Sequence, residues 1–273
     1  DLTQGENNVL VGYNAGVNVT TGSDNTLVGE QSGQALTTTA SNTFIGRRAG
    51  QAATSATANV IIGSDAVKSG VLTGDNNVVV GQAAGDDMTS ATQNVIIGKD
   101  AAKEATTSDR NVIIGYEACG AGVLTGNDNV VVGWGAGESM TSGAQHVLVG
   151  FNAGTAIPNQ TDGSVCVGYK AGEALTTGGS VLIGPNAGKS ITTGSTNTMI
   201  GYNAGDGFDT EDNNIGIGTN ALGGPIAGGE FNVAIGNNSL DALTSADNNT
   251  VLGYQAGSGL TDGGYNVLIG KDA

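Results

Sequence analysis

Residues 59–90 read NVIIGSDAVKSGVLTGDNNVVVGQAAGDDMTS, and residues 111–142 read NVIIGYEACGAGVLTGNDNVVVGWGAGESMTS. The two segments lie 52 residues apart, and each contains copies of a shorter repeat, Asn-x-x-(Val/Ile)-Gly, that recurs through the whole chain. The glycine of this repeat occurs sixteen times at nearly even spacing: Gly12, Gly29, Gly46, Gly63, Gly81, Gly98, Gly115, Gly133, Gly150, Gly168, Gly184, Gly201, Gly218, Gly236, Gly253 and Gly270. Repetition with such a short period is typical of solenoid architectures.

Composition and charge exclude several classes of protein. The 273 residues include 48 Gly, and only 4% are aromatic, so there are few large side chains with which to build one globular core. Lys and Arg number 9 against 25 Asp and Glu, which gives a formal charge of -16 and opposes binding to nucleic acid or anionic lipid. The sequence therefore predicts neither a nucleic-acid partner nor membrane insertion.

Aligning the copies on the repeat glycine gives columns of similar residues. The positions one and three before the glycine, here called the flanking columns, are mostly Val, Ile or Thr, as in Val60 and Ile62. Because alternate residues of a strand share a face, we expect the flanking columns to point into the interior. An Ala or Ser three residues after the glycine predicts a second inward position, and an apolar residue before Thr, as in Leu36-Thr37, predicts a second short strand.

A repeat of about 17 residues with two short strands cannot bury its own apolar face, so successive repeats must stack. The predicted fold is all-β, a parallel β-solenoid, or β-roll, of about sixteen coils. We expect residues 1–273 to form a single uncapped repeat domain, an excerpt of a longer fibre.

The position two before the glycine, here called the middle column, is also apolar. With the flanking columns placed inside, it faces outward as an apolar stripe, and we predict that copies of the chain associate along it. The predicted interface residues are Leu10, Leu27, Phe44, Ile61, Val79, Ile96, Ile113, Val131, Leu148, Cys166, Leu182, Met199, Val251 and Leu268.

Asn stands four residues before the glycine in thirteen of the sixteen copies, with His146, Ser164 and Ser180 as the exceptions. An Asn at a strand entrance can bond its counterpart in the next coil, which predicts a ladder of amides. His146 is therefore interpreted as a substitution in this ladder rather than as a metal ligand or a catalytic base.

The sequence predicts no enzyme, no catalytic residue and no resident cofactor, because columns of like residues do not provide the unlike groups that catalysis needs. Acidic residues gather at the bends before the Asn column, as in Asp75 and Asp128. Their oxygens leave Ca²⁺ as an open alternative, although their spacing matches neither an EF-hand nor the Gly-rich calcium-binding nonapeptide. A regular Thr column keeps an ice-binding solenoid as a minor alternative.

Aromatic residues follow the repeat glycine in seven copies and are candidate ligand-facing residues. An exposed row of rings can stack on sugars or anchor a partner protein. These residues are Tyr13, Tyr116, Trp134, Phe151, Tyr169, Tyr202 and Tyr254.

The segments NTVLGYQAGSGLTDG from Asn249 and NTMIGYNAG from Asn197 resemble repeats of known surface fibres. They are similar to the S-V-A-I-G-x-x-A head repeats of trimeric autotransporter adhesins, and closer to the N-T-x-(I/V)-G-Y-Q-A repeats of phage tail fibres and related bacterial surface fibres. The resemblance implies a left-handed β-roll assembled as a homotrimer, with the column of Leu10 and Ile96 at the three-fold centre. The repeats here are longer than those of the adhesin heads, and we expect no stalk, anchor or chaperone domain within residues 1–273.

The predicted function is that of a structural fibre or shaft, a rigid trimeric rod of a phage tail fibre or bacterial surface adhesin. Its predicted location is extracellular, on a cell surface or virion, where it serves attachment to a host or surface. The alternative is a shaft that itself binds a host-surface glycan or a matrix protein through its aromatic residues.

Overall fold

The computed structural model describes residues 3–158, 163–225 and 228–273. The protein is all-β, a parallel β-solenoid with one short strand in each repeat, and the described residues contain no helix. This confirms the predicted fold class. Contacts within the chain divide it into two compact units, Asp1–Ser142 and Gly143–Ala273.

Each unit carries eight strands of three residues, one per coil. The strands of the first unit are β1 (Val9–Val11), β2 (Thr26–Val28), β3 (Thr43–Ile45), β4 (Val60–Ile62), β5 (Val78–Val80), β6 (Val95–Ile97), β7 (Val112–Ile114) and β8 (Val130–Val132). Those of the second unit are β9 (Val147–Val149), β10 (Val165–Val167), β11 (Val181–Ile183), β12 (Thr198–Ile200), β13 (Ile215–Ile217), β14 (Val233–Ile235), β15 (Thr250–Leu252) and β16 (Val267–Ile269).

Within each unit, consecutive strands pair in parallel, and each residue lies beside its counterpart in the next repeat. In β5 and β6, for example, Val79 pairs with Ile96. The registers follow the repeat even where the interval between glycines is shorter or longer than usual, so the extra residues are accommodated in the bends. Like residues therefore form ladders along each unit.

The structure reverses the two faces of these strands. The middle column points into the coil, and its residues from Leu27 to Val251 are fully buried or nearly so within the single chain. The flanking columns point outward instead, with Val11 55% and Ile97 36% exposed. The prediction that the residues Leu10, Leu27, Phe44, Ile61, Val79, Ile96, Ile113, Val131, Leu148, Cys166, Leu182, Met199, Val251 and Leu268 form an outward interface is therefore wrong, because these side chains fill the solenoid.

Two interior positions, the middle column and the position four residues after the glycine, have side chains whose sizes compensate for each other. Gly216 occupies the middle column in the coil where Leu222 fills the later position, and a Cβ atom added to Gly216 would lie 3.4 Å from Cδ1 of Leu222. Ala234 and Leu240 form the same kind of pair in the next coil, and both are fully buried. A small residue at one position thus leaves room for a large one at the other, as close packing requires.

The apolar residues before Thr are buried as predicted, for instance Leu36, Leu72 and Met140. They do not form a second strand, because the described residues there are turns and irregular segments. Backbone hydrogen bonds still join neighbouring coils at this side, such as that from Thr89 N–H to the carbonyl of Thr106 at 2.9 Å. The Ala and Ser column is buried as well.

The Asn column forms the predicted ladder inside the solenoid. Along most of the ladder the side-chain oxygen of one Asn accepts both the backbone N–H and the amide N–H of the next Asn, with Asn77 Oδ1 at 3.0 Å from Asn94 N and 3.1 Å from Asn94 Nδ2. The amide of Asn94 also donates to the carbonyl of Ser108 at 2.7 Å. At His146, Nδ1 accepts the N–H of Ser164 at 3.2 Å, so this imidazole takes the place of an Asn oxygen.

We expect Asn94→Leu to lower the free energy of unfolding by at least about 2 kcal/mol. The change leaves the buried N–H of Asn111 and carbonyl of Ser108 without their partners, and each unsatisfied group costs roughly 1–3 kcal/mol. Asn18 provides the control. It is exposed and its amide donates to the carbonyl of Gln34, so Asn18→Leu removes a hydrogen bond at the surface and not inside the solenoid. Urea unfolding followed by circular dichroism measures both, and equal losses would contradict a stabilising ladder.

Candidate functional surfaces

The flanking columns form an apolar outer surface on each unit, here called the outer face. All of its residues are half-buried or exposed, and none is charged. In the first unit the outer face consists of Val9, Val11, Thr26, Val28, Thr43, Ile45, Val60, Ile62, Val78, Val80, Val95, Ile97, Val112, Ile114, Val130 and Val132. In the second it consists of Val147, Val149, Val165, Val167, Val181, Ile183, Thr198, Ile200, Ile215, Ile217, Val233, Ile235, Thr250, Leu252, Val267 and Ile269.

The seven aromatic residues after the repeat glycine all lie at the surface. Their exposed fractions run from 38% to 73%, with Trp134 at 58%. The fully buried aromatic side chains are Phe44 and Phe208, so most rings lie outside the interior. The exposed residues are Tyr13, Tyr116, Trp134, Phe151, Tyr169, Tyr202 and Tyr254. Their ligand-facing role stays a prediction.

Rings of this column contact one another in both units. Tyr116 and Trp134 meet edge to face, with centroids 5.3 Å apart and ring planes at 74°. Phe151 and Tyr169 are stacked, with centroids 5.4 Å apart and planes at 11°. The ammonium group of Lys99 lies 5.1 Å from the centroid of Tyr116, a cation–π contact that covers part of that ring.

A recess opens beside the first pair. It has a volume of about 150 Å³ and is lined by Asp100, Lys103, Glu117, Gly120, Ala121 and Glu138. Together with the rings of Tyr116 and Trp134, these residues are here called the aromatic recess. Glu117, which lines the recess, directly follows Tyr116, so the ring and the recess lie at the same corner of the coil. The side-chain interaction with Glu117 raises the pKa of the Tyr116 hydroxyl.

The acidic residues at the bends are used within the chain. Asp109 Oδ1 accepts the backbone N–H of Thr92 at 2.7 Å, and Asp212 Oδ1 accepts that of Ser195 at 2.6 Å. These carboxylates therefore cap the preceding coil. Among the described residues, no group of three or more His, Cys, Asp or Glu is arranged to hold a metal ion.

The Thr column also bonds within the chain. Hydroxyls such as those of Thr89 and Thr176 donate to the carbonyls of Thr106 and Thr192, at 3.0 and 2.8 Å. Hydroxyls engaged in this way connect coils rather than forming a free array for an external ligand. Nothing in their geometry favours ice binding over this structural role.

Both cysteine thiols are buried and unreactive. Cys119 and Cys166 are both fully buried and free, and burial raises the pKa of each thiol to about 12. Since the thiolate is the reactive form, neither cysteine is a nucleophile at neutral pH. His146 is buried within the Asn ladder, where its Nδ1 accepts a backbone N–H.

Sequence reasoning located the rings but missed the recess. A signal was available in the duplicated segments, because Gly120 stands where the earlier copy has Lys68. The loss of a long side chain at one position of a ladder leaves a gap between the residues above and below it, here Lys103 and Glu138.

No protein-family model matches the chain, and a search of curated proteins finds no match either. The described residues contain no helix that is long and apolar enough to cross a membrane. The resemblance to adhesin and tail-fibre repeats therefore stays a prediction based on the repeat motif.

Proposed function

We propose that the chain is a structural shaft segment of an extracellular fibre, of the kind found in phage tail fibres and bacterial surface adhesins, and that it acts as a parallel homotrimer. The observation that carries this proposal is the outer face. A single chain leaves this uncharged apolar surface in water, and a large exposed apolar patch marks an association site.

The occupant we propose for the outer face is the outer face of further copies of the same chain. Each half-buried Val or Ile that loses its remaining exposure contributes about 25 cal/mol per Å² of apolar area. The outer-face residues of one strand contribute little free energy of association. The gain repeats at every coil, however, while the translational and rotational cost of association is incurred once. A long ladder of rungs therefore favours a stable complex.

Threonines in the outer face support parallel, in-register association. Thr26 and Thr43 are neighbouring rungs of the first unit, whereas the rungs near its other end, such as Val112, carry no hydroxyl. With parallel copies in register, each hydroxyl meets its own counterparts and can bond to them. Antiparallel copies of this unit would place the hydroxyls against Val and Ile, where they lose water without gaining a partner.

The expected solution mass, by light scattering on a size-exclusion column, is three times 26.8 kDa. In this proposal, Val95→Asp combined with Ile97→Asp gives a folded monomer, because two carboxylates per chain would meet in the interface. The control, Gln82→Asp with Gln255→Asp, adds two charges on exposed positions outside the outer face and leaves the mass unchanged. A monomeric wild type would refute the proposal, and a different multiple would refute the trimer.

Multivalent reach is the mechanism that this role implies. Three parallel chains would give a stiff segment that holds a binding tip away from the surface, and weak contacts would add through avidity. Such a role requires no turnover, which agrees with the buried thiols and the structural use of His146.

A further inference from the structure

We propose that the aromatic recess binds a neutral carbohydrate. This inference goes beyond the proposed shaft role and does not depend on self-association, since none of the residues of the aromatic recess belongs to the outer face. It rests on the ring pair of Tyr116 and Trp134, on the open volume lined by Glu117, the residue that follows Tyr116, and on a comparison that the chain provides within itself.

The comparison begins with the rings. Residues 59–90 and 111–142 have the same strands and the same spacing, so equivalent positions differ by 52. Tyr116 corresponds to Ser64 and Trp134 corresponds to Gln82. The later copy therefore has two aromatic side chains on adjacent coils where the earlier copy has two small or polar ones, while the middle-column residues of the strands are the same in both copies.

The same comparison shows how the recess arises. In the earlier copy, Lys68 and Asp86 close the surface, because the ammonium group lies 3.6 Å from Oδ2 of Asp86 while Oδ1 accepts the N–H of Lys68 at 3.1 Å. In the later copy these positions are Gly120 and Glu138, and the recess lies between them. Its volume of about 150 Å³ is far above the roughly 10–15 Å³ that one water needs.

The later copy also has a smaller residue directly after its added tryptophan. The residue after Trp134 is Gly135, where the earlier copy has Ala83. Apart from Gly135, the residue two after each repeat glycine has a side chain, usually Asn, Asp, Glu or Gln. The indole is 58% exposed, and the residue that follows it in the sequence adds no side chain to cover it.

The lining suits a polyhydroxyl ligand, which both donates and accepts hydrogen bonds. Asp100 forms an ion pair with Lys99, which compensates part of the negative charge of the lining. The remaining carboxylate oxygens accept from sugar hydroxyls, and the ammonium of Lys103 donates to them. Three carboxylates against one lysine in the lining oppose an anionic sugar, as does the formal charge of -16.

Trp134 makes the test direct, because it is the single tryptophan of the chain. Its fluorescence is titrated with four neutral tetrasaccharides, namely cellotetraose, chitotetraose, maltotetraose and a β-1,3-galactan tetraose. We expect at least one of them to change the emission in a saturable manner, with half-saturation near or below about 1 mM. Sialyllactose and an arginine octapeptide serve as the anionic and cationic probes.

Two variants place residues of the earlier copy at the aromatic recess and retain Trp134 as the reporter, and circular dichroism checks that each is folded. Gly120→Lys fills the recess and Tyr116→Ser removes one ring, and each is expected to weaken binding at least about tenfold. Tyr254→Ser removes a ring of the same column in the second unit and is expected to leave the titration unchanged. The triple variant Ser64→Tyr, Lys68→Gly and Gln82→Trp, in a Trp134→Gln background, is expected to transfer the response to the earlier copy.

Three outcomes would overturn the proposal. One is a constant emission with all four neutral sugars up to about 10 mM. Another is a response that persists undiminished in both Gly120→Lys and Tyr116→Ser. The third is saturation by the arginine peptide or by sialyllactose with none by the neutral sugars, which would assign the recess to charged ligands. The solution mass of each variant is measured in parallel, so that failure of the shaft proposal is recognised separately.

Discussion

Ile113→Asp is expected to abolish cooperative folding of the first unit at 25 °C. Ile113 is fully buried in the middle column, paired with Ile96 on one side and Val131 on the other. Losing its burial costs about 1.5–3 kcal/mol, and an unpaired carboxylate in an apolar interior costs several kcal/mol more. The sum, roughly 5 kcal/mol or more, is comparable with the whole stability of many domains.

The matched control is the next residue along the chain. Ile114→Asp introduces the same carboxylate on the outer face, where the side chain is only half-buried in the single chain, and we expect this variant to keep the β-sheet signal in circular dichroism while its association along the outer face weakens. Far-UV spectra of the two variants at equal concentration separate the faces. If Ile113→Asp folded normally and Ile114→Asp did not, the assignment of interior and exterior would be wrong.

Gly184→Ala is expected to lower the free energy of unfolding by about 3 kcal/mol or more. Gly184 has φ of +127°, a conformation that an L-residue adopts only with strain. An added Cβ atom would also lie 2.5 Å from the carbonyl oxygen and 2.7 Å from the carbonyl carbon of Gly201 in the next coil. Because the obstacle is backbone that is itself paired, it cannot move aside without breaking the register of the strands.

A second glycine in the same unit isolates this effect from the general cost of changing a glycine. A Cβ atom at Gly259 would meet nothing within 4 Å, and this residue has no positive φ. Gly259→Ala is therefore expected to change the free energy of unfolding by no more than about 0.5 kcal/mol. Thermal or urea unfolding of the pair provides the measurement, and equal destabilisation would contradict a specific need for glycine at the repeat position.

The period, the strand positions and the amide ladder could be predicted from the sequence because each is a property of a single column. Which face of the strand lies inside could not be decided by counting apolar residues, since both faces of these three-residue strands are apolar. Most strands have two apolar flanking residues and one apolar middle residue, and this count led to the wrong prediction that the flanking residues lie inside. A three-residue strand buries one side chain when its middle residue points inward, and the two outer ones then remain at the surface.

Two features of the repeat agree with the observed assignment. Side chains alternate along a strand, so a buried Asn such as Asn94 places the residue two positions later, Ile96, on the same inner side. The pairing of Gly216 with Leu222 likewise indicates that those two positions share one volume. The aromatic recess was beyond column-by-column reasoning, because it arises from a missing side chain at Gly120 and from its neighbours in the adjacent coils.

The registers, which stay intact although the interval between repeat glycines varies, have a consequence for how such a chain can evolve. Insertions of one or two residues at a bend leave the neighbours of every strand residue unchanged, and so does the gain or loss of a whole coil. Recombination between coils therefore yields foldable products at many crossover points, and segments of different length arise in steps of one coil. The duplication that relates residues 59–90 to residues 111–142 is a step of three coils, after which one copy was free to diverge at its surface.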